Sequence, residues 1–443
     1  MTERPDRPET ETGSPVPADR LSRFLTLGGL AGGIAGRAIG HGLGQVARGR
    51  RPTPADLLFT PANAQRVARD LAHLRGAAMK VGQLLSMDAG DVLPPEFAAI
   101  LERLREDASP MPPKQLRDVL DAEWGPGWMK RFSRFDVRPM AAASIGQVHR
   151  ATTLDGRDVA IKVQFPGVRG AIDSDLRNIG AILRYSGVVP RSLDLQPVLD
   201  AAREQLIDET DYAREAEQLA RFGDLLAGDP AFRVPGPQPD LTTPNVLAMD
   251  FIESVPLSRL ADAPQADRDR IAATLIDLVL RELFTFRAMQ TDPNLANFRY
   301  EPDSGRIVLL DFGAVRDIAG PVVDAFHRLM RAGLDGDPEA GREAALTLGL
   351  VHAEAPERHL RIMREMFDFG MEPIRHDRVF DFGASDLIVR LRDMGMEIGM
   401  ERDFWTVPAT DAIFVQRKVA GTYLIAARLK ARVNIHRIVQ RYA

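Results

Sequence analysis

The stretch QTDPNLANF sets Asp292 and Asn297 five residues apart, and Asp311 follows fourteen residues later at the end of the apolar run RIVLLD. An amide and a carboxylate joined through a β-turn supply hard oxygen donors, the kind of pair that holds the magnesium ion of a bound nucleotide. The plainer reading is a polar loop ahead of a buried strand, and the rest of the chain must separate the two. Upstream, Lys162 ends the apolar tetrapeptide VAIK, where its charge enters the fold and needs a partner. Candidates lie in REQLIDETDYAREAEQLARF, which reads as one helix with Asp208, Asp211 and Glu215 at i, i+3 and i+7 and Glu209 beside them. Four carboxylates so close repel one another unless cations sit opposite, and a solvated acidic face is the plain alternative. Glu215 is the natural mate for Lys162.

These side chains need elements to hold them. The chain has 443 residues, 45% apolar and 27% charged, with a net charge of −5. That is a soluble globular composition, long enough for a large two-lobed enzyme and not that of a nucleic-acid binder. With no cysteine, disulfides, thiolate metal sites and a cysteine nucleophile are excluded. Residues 1–20 are charged and Pro-rich, which predicts a disordered tail without the apolar run of a secretory signal. In residues 21–50 glycines recur every four positions (Gly28, Gly32, Gly36, Gly40, Gly44), flanked by arginines. A small-residue helix ridge with basic ends suits a membrane surface, although Arg37 and His41 interrupt it short of a full span, and a flexible Gly/Ala linker and an intramolecular packing helix are the plainer readings. A helical extension is expected over 60–131, a strand-rich lobe over 132–253 and a mostly helical lobe over 254–443. Helices are read at 168–187 and 195–227, strands at VPGPQPD and NVLAMDFIES, and a hairpin turn at LDGR.

The order of the motifs is that of protein kinases. Ala141, Ala143, Gly146 and Val148 fall in register with the phosphate loop G-x-G-x-x-G-x-V, fourteen residues ahead of the VAIK lysine. Alanine in place of two glycines still lets backbone N–H groups approach phosphates, but it disfavours positive φ and should shape the loop differently. In kinases the lysine binds phosphates and pairs with a helix glutamate. The D-x4-N aspartate handles the acceptor proton, and the asparagine and the D-F-G aspartate hold Mg²⁺. Further D-F-G triplets at 368–370 and 381–383 follow neither a strand nor a D-x4-N loop and are set aside. No A-P-E follows the first, and Gln290 and Thr291 stand where His-Arg would precede Asp292, so ordinary protein kinase activity is not expected.

The set resembles the UbiB/AarF-domain atypical kinases, in particular their mitochondrial-type coenzyme Q branch. The resemblance is carried by KVGQ (Lys80 to Gln83), AAASIGQVH, the E-x-D of ETDYAREA (Glu209, Asp211), QTDPNLANF and GTYLIAARLKARV, and it extends from about residue 60 to the C-terminus. It implies an α+β, protein-kinase-like two-lobed fold with an added N-terminal helical K-x-G-Q element over the active site. In it Lys80 and Gln83 would face Glu209 and Asp211 as a regulatory gate. The implied machinery is catalytic Asp292, with Lys162 positioned by Glu215. Nucleotide contacts are expected from Ala141, Ala142, Ala143, Ser144, Gly146, Val148, Lys162 and the Asp250, Phe251, Ile252, Glu253 connection, with Asn297 and Asp311 on the metal. The expected cofactors are ATP or ADP and Mg²⁺. The expected function is an ATPase or atypical kinase supporting ubiquinone biosynthesis, the alternative being a nucleotide-sensing, lipid-presenting scaffold. Membrane lipid or ubiquinone precursors, ubiquinone-biosynthesis enzymes and a second copy of the chain are the expected partners, and nucleic acid is not. The Ala-, Arg-, Gly- and Asp-rich composition suggests a bacterial cytoplasmic protein on the inner face of the inner membrane.

Overall fold

The computed structural model describes residues 76–77, 80–81, 110–143, 145–186, 195–399 and 410–443. The expectations for the 1–20 tail, the glycine-spaced 21–50 segment, most of the helical extension, Gln83 and Ser144 lie outside them. The chain divides into two compact units: residues to 216 with 236–251, and residues 217–235 with 252–443.

In the first unit, α1 (Pro113–Trp124) opens with proline in its first turn, whose fixed φ suits a helix start. Four strands follow: β1 (Phe132–Phe135), β2 (Ala141–Ala142), β3 (Gly146–Thr153) and β4 (Asp158–Gln164). The turn between β3 and β4 is the LDGR hairpin, with Gly156 at φ 88°, a conformation open to glycine without penalty. Next come α2 (Val168–Ser186), α3 (Gln196–Glu209) and α4 (Tyr212–Leu225). The second unit then takes β5 (Phe232–Arg233), and β6 (Val246–Asp250) returns to the first-unit sheet, ordered β1-β3-β4-β6 with β2 on β3, all antiparallel. Val159, Ile161 and Val163 alternate onto one face and bury against Leu116, Leu120, Trp128 and Phe132. Trp124, Trp128, Phe132 and Phe135 pack their rings mostly edge to face, so the core beneath the lysine-bearing strand is rigid and aromatic.

The single helix expected over 195–227 is two. Thr210 N–H turns back to the Leu206 and Ile207 carbonyls, and Asp211 then accepts the Arg214 N–H at 3.0 Å, capping α4. Short polar side chains compete for backbone groups and favour such a boundary over a helix interior. The acidic residues therefore do not form one stripe. Nor is VPGPQPD a strand: its prolines lack the N–H a ladder needs, β5 ends just before it, and within it the one β-bridge is Pro237 to Met249.

The second unit continues with β7 (Val255–Pro256) and α5 (Gln265–Leu280), which widens into a π-helical turn over Arg281–Phe286. Short strands β8 (Ala288–Gln290), β9 (Phe298–Glu301), β10 (Arg306–Leu309) and β11 (Val315–Asp317) precede α6 (Gly320–Asp335), α7 (Pro338–Thr347) and α8 (Glu357–Arg375). The chain ends through β12 (Phe380–Asp381), α9 (Leu387–Gly399), α10 (Thr410–Arg428), β13 (Arg432–Val433) and α11 (Ile435–Val439). The sheets here are β5-β10-β9-β7 and the pairs β11-β8 and β12-β13. The lobe expected to be mostly helical also carries several short strands, which at two to four residues are too short for alternation to register in a sequence.

Candidate active site

In the first unit, β4 carries Lys162 almost wholly out of solvent. Its ammonium meets both oxygens of buried Glu215, at 2.8 and 2.9 Å, and lies 4.9 Å from the centre of the Tyr212 ring. Both Tyr212 and Glu215 come from the first turn of α4, so the Asp211 cap sets where the lysine's partners stand. The other carboxylates of the acidic segment are engaged too. Glu209 takes the buried Lys80 ammonium at 2.5 Å, and Asp208 lies 3.7 Å from Arg214. Of the expected gate, Lys80 and Glu209 come together, while Asp211 serves the backbone of α4.

The alanine loop is a tight hairpin. Ala141 and Ala142 pair with Val148 and Gln147, Ala143 N–H reaches the Gly146 carbonyl at 2.9 Å, and Val148 sits opposite Lys162 across the β3–β4 ladder. Among the described non-glycine residues only Arg287 and Lys430 have positive φ, so Ala141, Ala142, Ala143 and Ile145 take none of the left-handed conformations that alanine resists. Asp250, at the end of β6, spends its carboxylate on the Gly236 N–H and the Gln238 amide, at 2.9 and 2.7 Å. Phe251 donates its N–H to the Asp158 carbonyl and lies under the Arg150 guanidinium, 3.8 Å from the ring centre. Ile252 and Glu253 belong to the second unit, where Ile252 is buried and Glu253 exposed.

Behind the loop lies a buried relay that the sequence reading missed. Gln147 accepts the Met111 N–H at 2.7 Å and meets His149 Nε2 at 2.9 Å, and His149 Nδ1 meets the Asp136 carbonyl at 2.8 Å. A carbonyl only accepts, so Nδ1 carries the proton and Nε2 receives the glutamine N–H of a neutral ring. Burial pushes the His149 pKa below its usual 6.5, against the smaller pull of Asp136. A depressed folded-state pKa means that the unfolded chain takes up the proton first. The histidine's stabilisation is therefore full above about pH 6.5 and is lost as pH falls from there through the lower folded-state value. The gap in unfolding free energy between wild type and His149→Gln should be widest near pH 7.5 and shrink by pH 5.5. Denaturant melts at the two pH values check this, and a gap that stays constant overturns it.

The second unit holds the Asp–Asn and D-F-G residues. The Asp292 carbonyl receives two side-chain amides, Gln290 Nε2 at 2.9 Å and Asn297 Nδ2 at 3.2 Å. Because that carbonyl can only accept, the Asn297 NH₂ must face it, which leaves Oδ1, the atom a cation needs. Asn294 caps the intervening turn by accepting the Ala296 N–H. The loop is stitched to the D-F-G segment in three places: Leu310 N–H to the Asn297 carbonyl, Thr291 N–H and Oγ1 to the Ala314 carbonyl, and the β8–β11 ladder. Gly313 N–H fixes one Asp311 carboxylate oxygen at 3.1 Å, and Phe312 is buried against Phe222 at 4.8 Å between ring centres. Among the described residues no three His, Cys, Asp or Glu side chains form a metal cage by themselves. One amide oxygen and one carboxylate fit a magnesium ion that keeps waters and takes its other ligands from phosphates.

Also unforeseen is the support beneath this loop. Lys418 of α10, 2% exposed, donates to Gln290 Oε1 at 3.0 Å and pairs with buried Glu282 at 3.2 Å. Desolvation raises the Glu282 pKa, opposed by the nearby Lys418 charge. A signal was present in the sequence, since Lys418 occupies the buried helical stripe of Val415, Thr422, Ile425 and Leu429.

Residues 103–345 match the ABC1 atypical kinase-like domain. The chain is 37% identical over 433 residues to atypical kinase COQ8, mitochondrial, of Saccharomyces cerevisiae, covering 97% of this chain and 86% of that protein. It is also 37% identical over 427 residues to atypical kinase COQ8B, mitochondrial, of Danio rerio, covering 95% and 68%. A solved structure of Rv3197 with erythromycin from Mycobacterium tuberculosis superposes with a TM-score of 0.60 at 29% identity, over 88% of this chain and 97% of that one. The expected bacterial cytoplasmic location is corrected by these relatives, which are named as mitochondrial proteins. Ala-, Arg- and Gly-rich composition reflects codon usage and carries no address. The fold is the α+β, kinase-like one that the motifs imply, and the enzyme class is not that of conventional protein kinases. The chain belongs to the ABC1 (UbiB/AarF) family of atypical kinases.

Proposed function

We propose that this chain is a magnesium- and nucleotide-dependent atypical kinase or ATPase that supports coenzyme Q formation at a membrane surface. The buried Lys162–Glu215 pair carries the reading. A bidentate ion pair held under the alanine loop costs desolvation that a stability role does not explain, whereas phosphate binding requires a fixed cation there. In this reading Lys162 binds phosphate oxygens and Glu215 positions it. Asn297 and Asp311 hold Mg²⁺, which neutralises charge on the phosphates when bound. Asp292 orients or deprotonates the acceptor, which is water in the ATPase reaction and a prenyl-lipid precursor or protein in phosphotransfer. The alanine loop and the Asp250–Glu253 connection contact ATP or ADP. No helix among the described residues is long and apolar enough to cross a membrane. Surface contact is assigned to the glycine-spaced segment at 21–50, and ubiquinone-biosynthesis enzymes and a second copy of the chain are the proposed protein partners.

Steady-state Mg–ATP hydrolysis by the full chain, with and without anionic vesicles, tests this. Turnover should rise with vesicles, and Asp292→Asn should lower kcat by about 10²–10⁴-fold while nucleotide still binds. Nucleotide binding with no turnover under any condition overturns the enzyme reading in favour of a scaffold.

A further inference from the structure

We propose that Lys418 is a positioning residue for Asp292, acting through the Gln290 side chain. The inference rests on the reading that Asp292 and Asn297 carry the chemistry. A lysine ammonium has donors and no acceptor, so the Gln290 amide oxygen must face Lys418, as it does at 3.0 Å. That choice turns the Gln290 NH₂ toward the Asp292 carbonyl, 2.9 Å away. With Asn297 Nδ2 at 3.2 Å the carbonyl then holds two donors, one for each lone pair. The peptide so fixed is the one that joins Asp292 to Pro293. A residue before proline is already confined to extended conformations, so holding its carbonyl holds the residue.

The chain of contacts has a definite direction. Glu282, from the π-helical turn that ends α5, takes the Lys418 charge at 3.2 Å and keeps the ammonium over the loop rather than in solvent. Gln290 is itself anchored in register with Val315 on the β8–β11 ladder, so its side chain reaches Asp292 from a fixed base. Without Lys418, Gln290 can rotate its amide by half a turn and present oxygen to the Asp292 carbonyl, a contact that repels. The same Asp292 carbonyl orients Asn297, so losing it disturbs the metal-facing Oδ1 as well. Lys418 touches neither substrate nor metal in this scheme. It decides which way an amide points.

The test uses Mg–ATP hydrolysis and nucleotide affinity of the full chain. The variants are Asp292→Asn, Gln290→Leu, Lys418→Arg, the pair Lys418→Met with Glu282→Gln, and that pair combined with Gln290→Leu. Removing Lys418 and Glu282 charges together leaves no unpaired buried charge, and such neutral replacements are often close to neutral in stability. The expected result is a fall in kcat of about 10- to 100-fold for the neutral pair, at unchanged nucleotide affinity, since small misplacements of a catalytic group cost this much. Adding Gln290→Leu should lower kcat no further, because the two changes break one chain of contacts. Lys418→Arg, which keeps the charge and a donor, should retain more turnover than the neutral pair.

Wild-type kcat in the neutral pair, or losses that multiply when Gln290→Leu is added, overturns the inference while Asp292→Asn still reports a working site. If the neutral pair does not fold, Gln290→Leu decides, since it leaves the Lys418–Glu282 pair intact and wild-type turnover there breaks the proposed link. An Asp292→Asn variant as active as wild type overturns the functional reading and this inference together.

Discussion

Replacing Glu215 by alanine should lower stability by about 3–5 kcal/mol, because breaking a buried, hydrogen-bonded ion pair by removing one partner is strongly destabilising. The Tyr212 ring, 4.9 Å from the ammonium, offers only a partial substitute. Replacing both partners, Lys162→Met with Glu215→Leu, should recover most of that loss, since neutral side chains of similar volume remove the charge along with its need for a partner. Nucleotide affinity should be lost in both. The contrast matters because a buried ion pair is weak evidence for stability, so a double variant that is stable and does not bind nucleotide separates the two roles. Denaturant unfolding and nucleotide titration of the three proteins measure it. A Glu215→Ala variant as stable as wild type removes the buried pair from the account. A neutral double variant that still binds nucleotide moves the phosphate contact away from Lys162.

The Lys162–Glu215 pairing was more legible than the scaffold around it, for a physical reason. VAIK, the hairpin LDGR, D-x4-N and the strand-borne D-F-G are local features whose chemistry survives in a few consecutive residues, so order and spacing were enough to place Lys162 opposite Glu215. The break at Thr210–Asp211 was hidden because apolar spacing runs through it, and only the capping habit of aspartate marks the boundary. With that break, the segment that read as one repelling stripe became four separately engaged carboxylates, including a cap and two buried lysine partners. The strands β8 and β11, which flank the Asp–Asn and D-F-G loops, were invisible because three residues carry no period. Yet their ladder, with the flanking Thr291, Ala314 and Leu310, ties the two loops to each other. The relay of Met111, Gln147 and His149 and the support from Lys418 depend on contacts between residues far apart in sequence, and no local pattern announces their partners.

Gly146 answers to a packing constraint inside the protein that its place in the loop motif does not announce. As the third glycine of a phosphate loop it is expected to let backbone approach a ligand. In the fold the close approach is made by the protein itself: a Cβ built at 146 would lie 2.4 Å from the Val163 carbonyl oxygen and 2.9 Å from Tyr212 Oη. Val163 is backbone of β4, one residue beyond Lys162, so it can yield only by parting β3 from β4 at the Gly146–Gln164 pair. Gly146→Ala should therefore cost about 1–3 kcal/mol, the range for forcing an extra methyl into a packed site, and Gly146→Val more. Gly223, inside α4 with nothing within 4 Å of a built Cβ, makes the opposite prediction: alanine there should stabilise by about 0.4–1 kcal/mol through lost unfolded-state entropy. The same chemical change thus has opposite signs at two glycines, and melting temperatures of the two variants read both. Displacement of β4 also moves the lysine, so Gly146→Ala should weaken nucleotide binding where Gly223→Ala leaves it unchanged. A Gly146→Ala protein as stable as wild type would mean that the β3–β4 ladder gives way without strain, and the glycine's role would then rest on the loop's contact with phosphate alone.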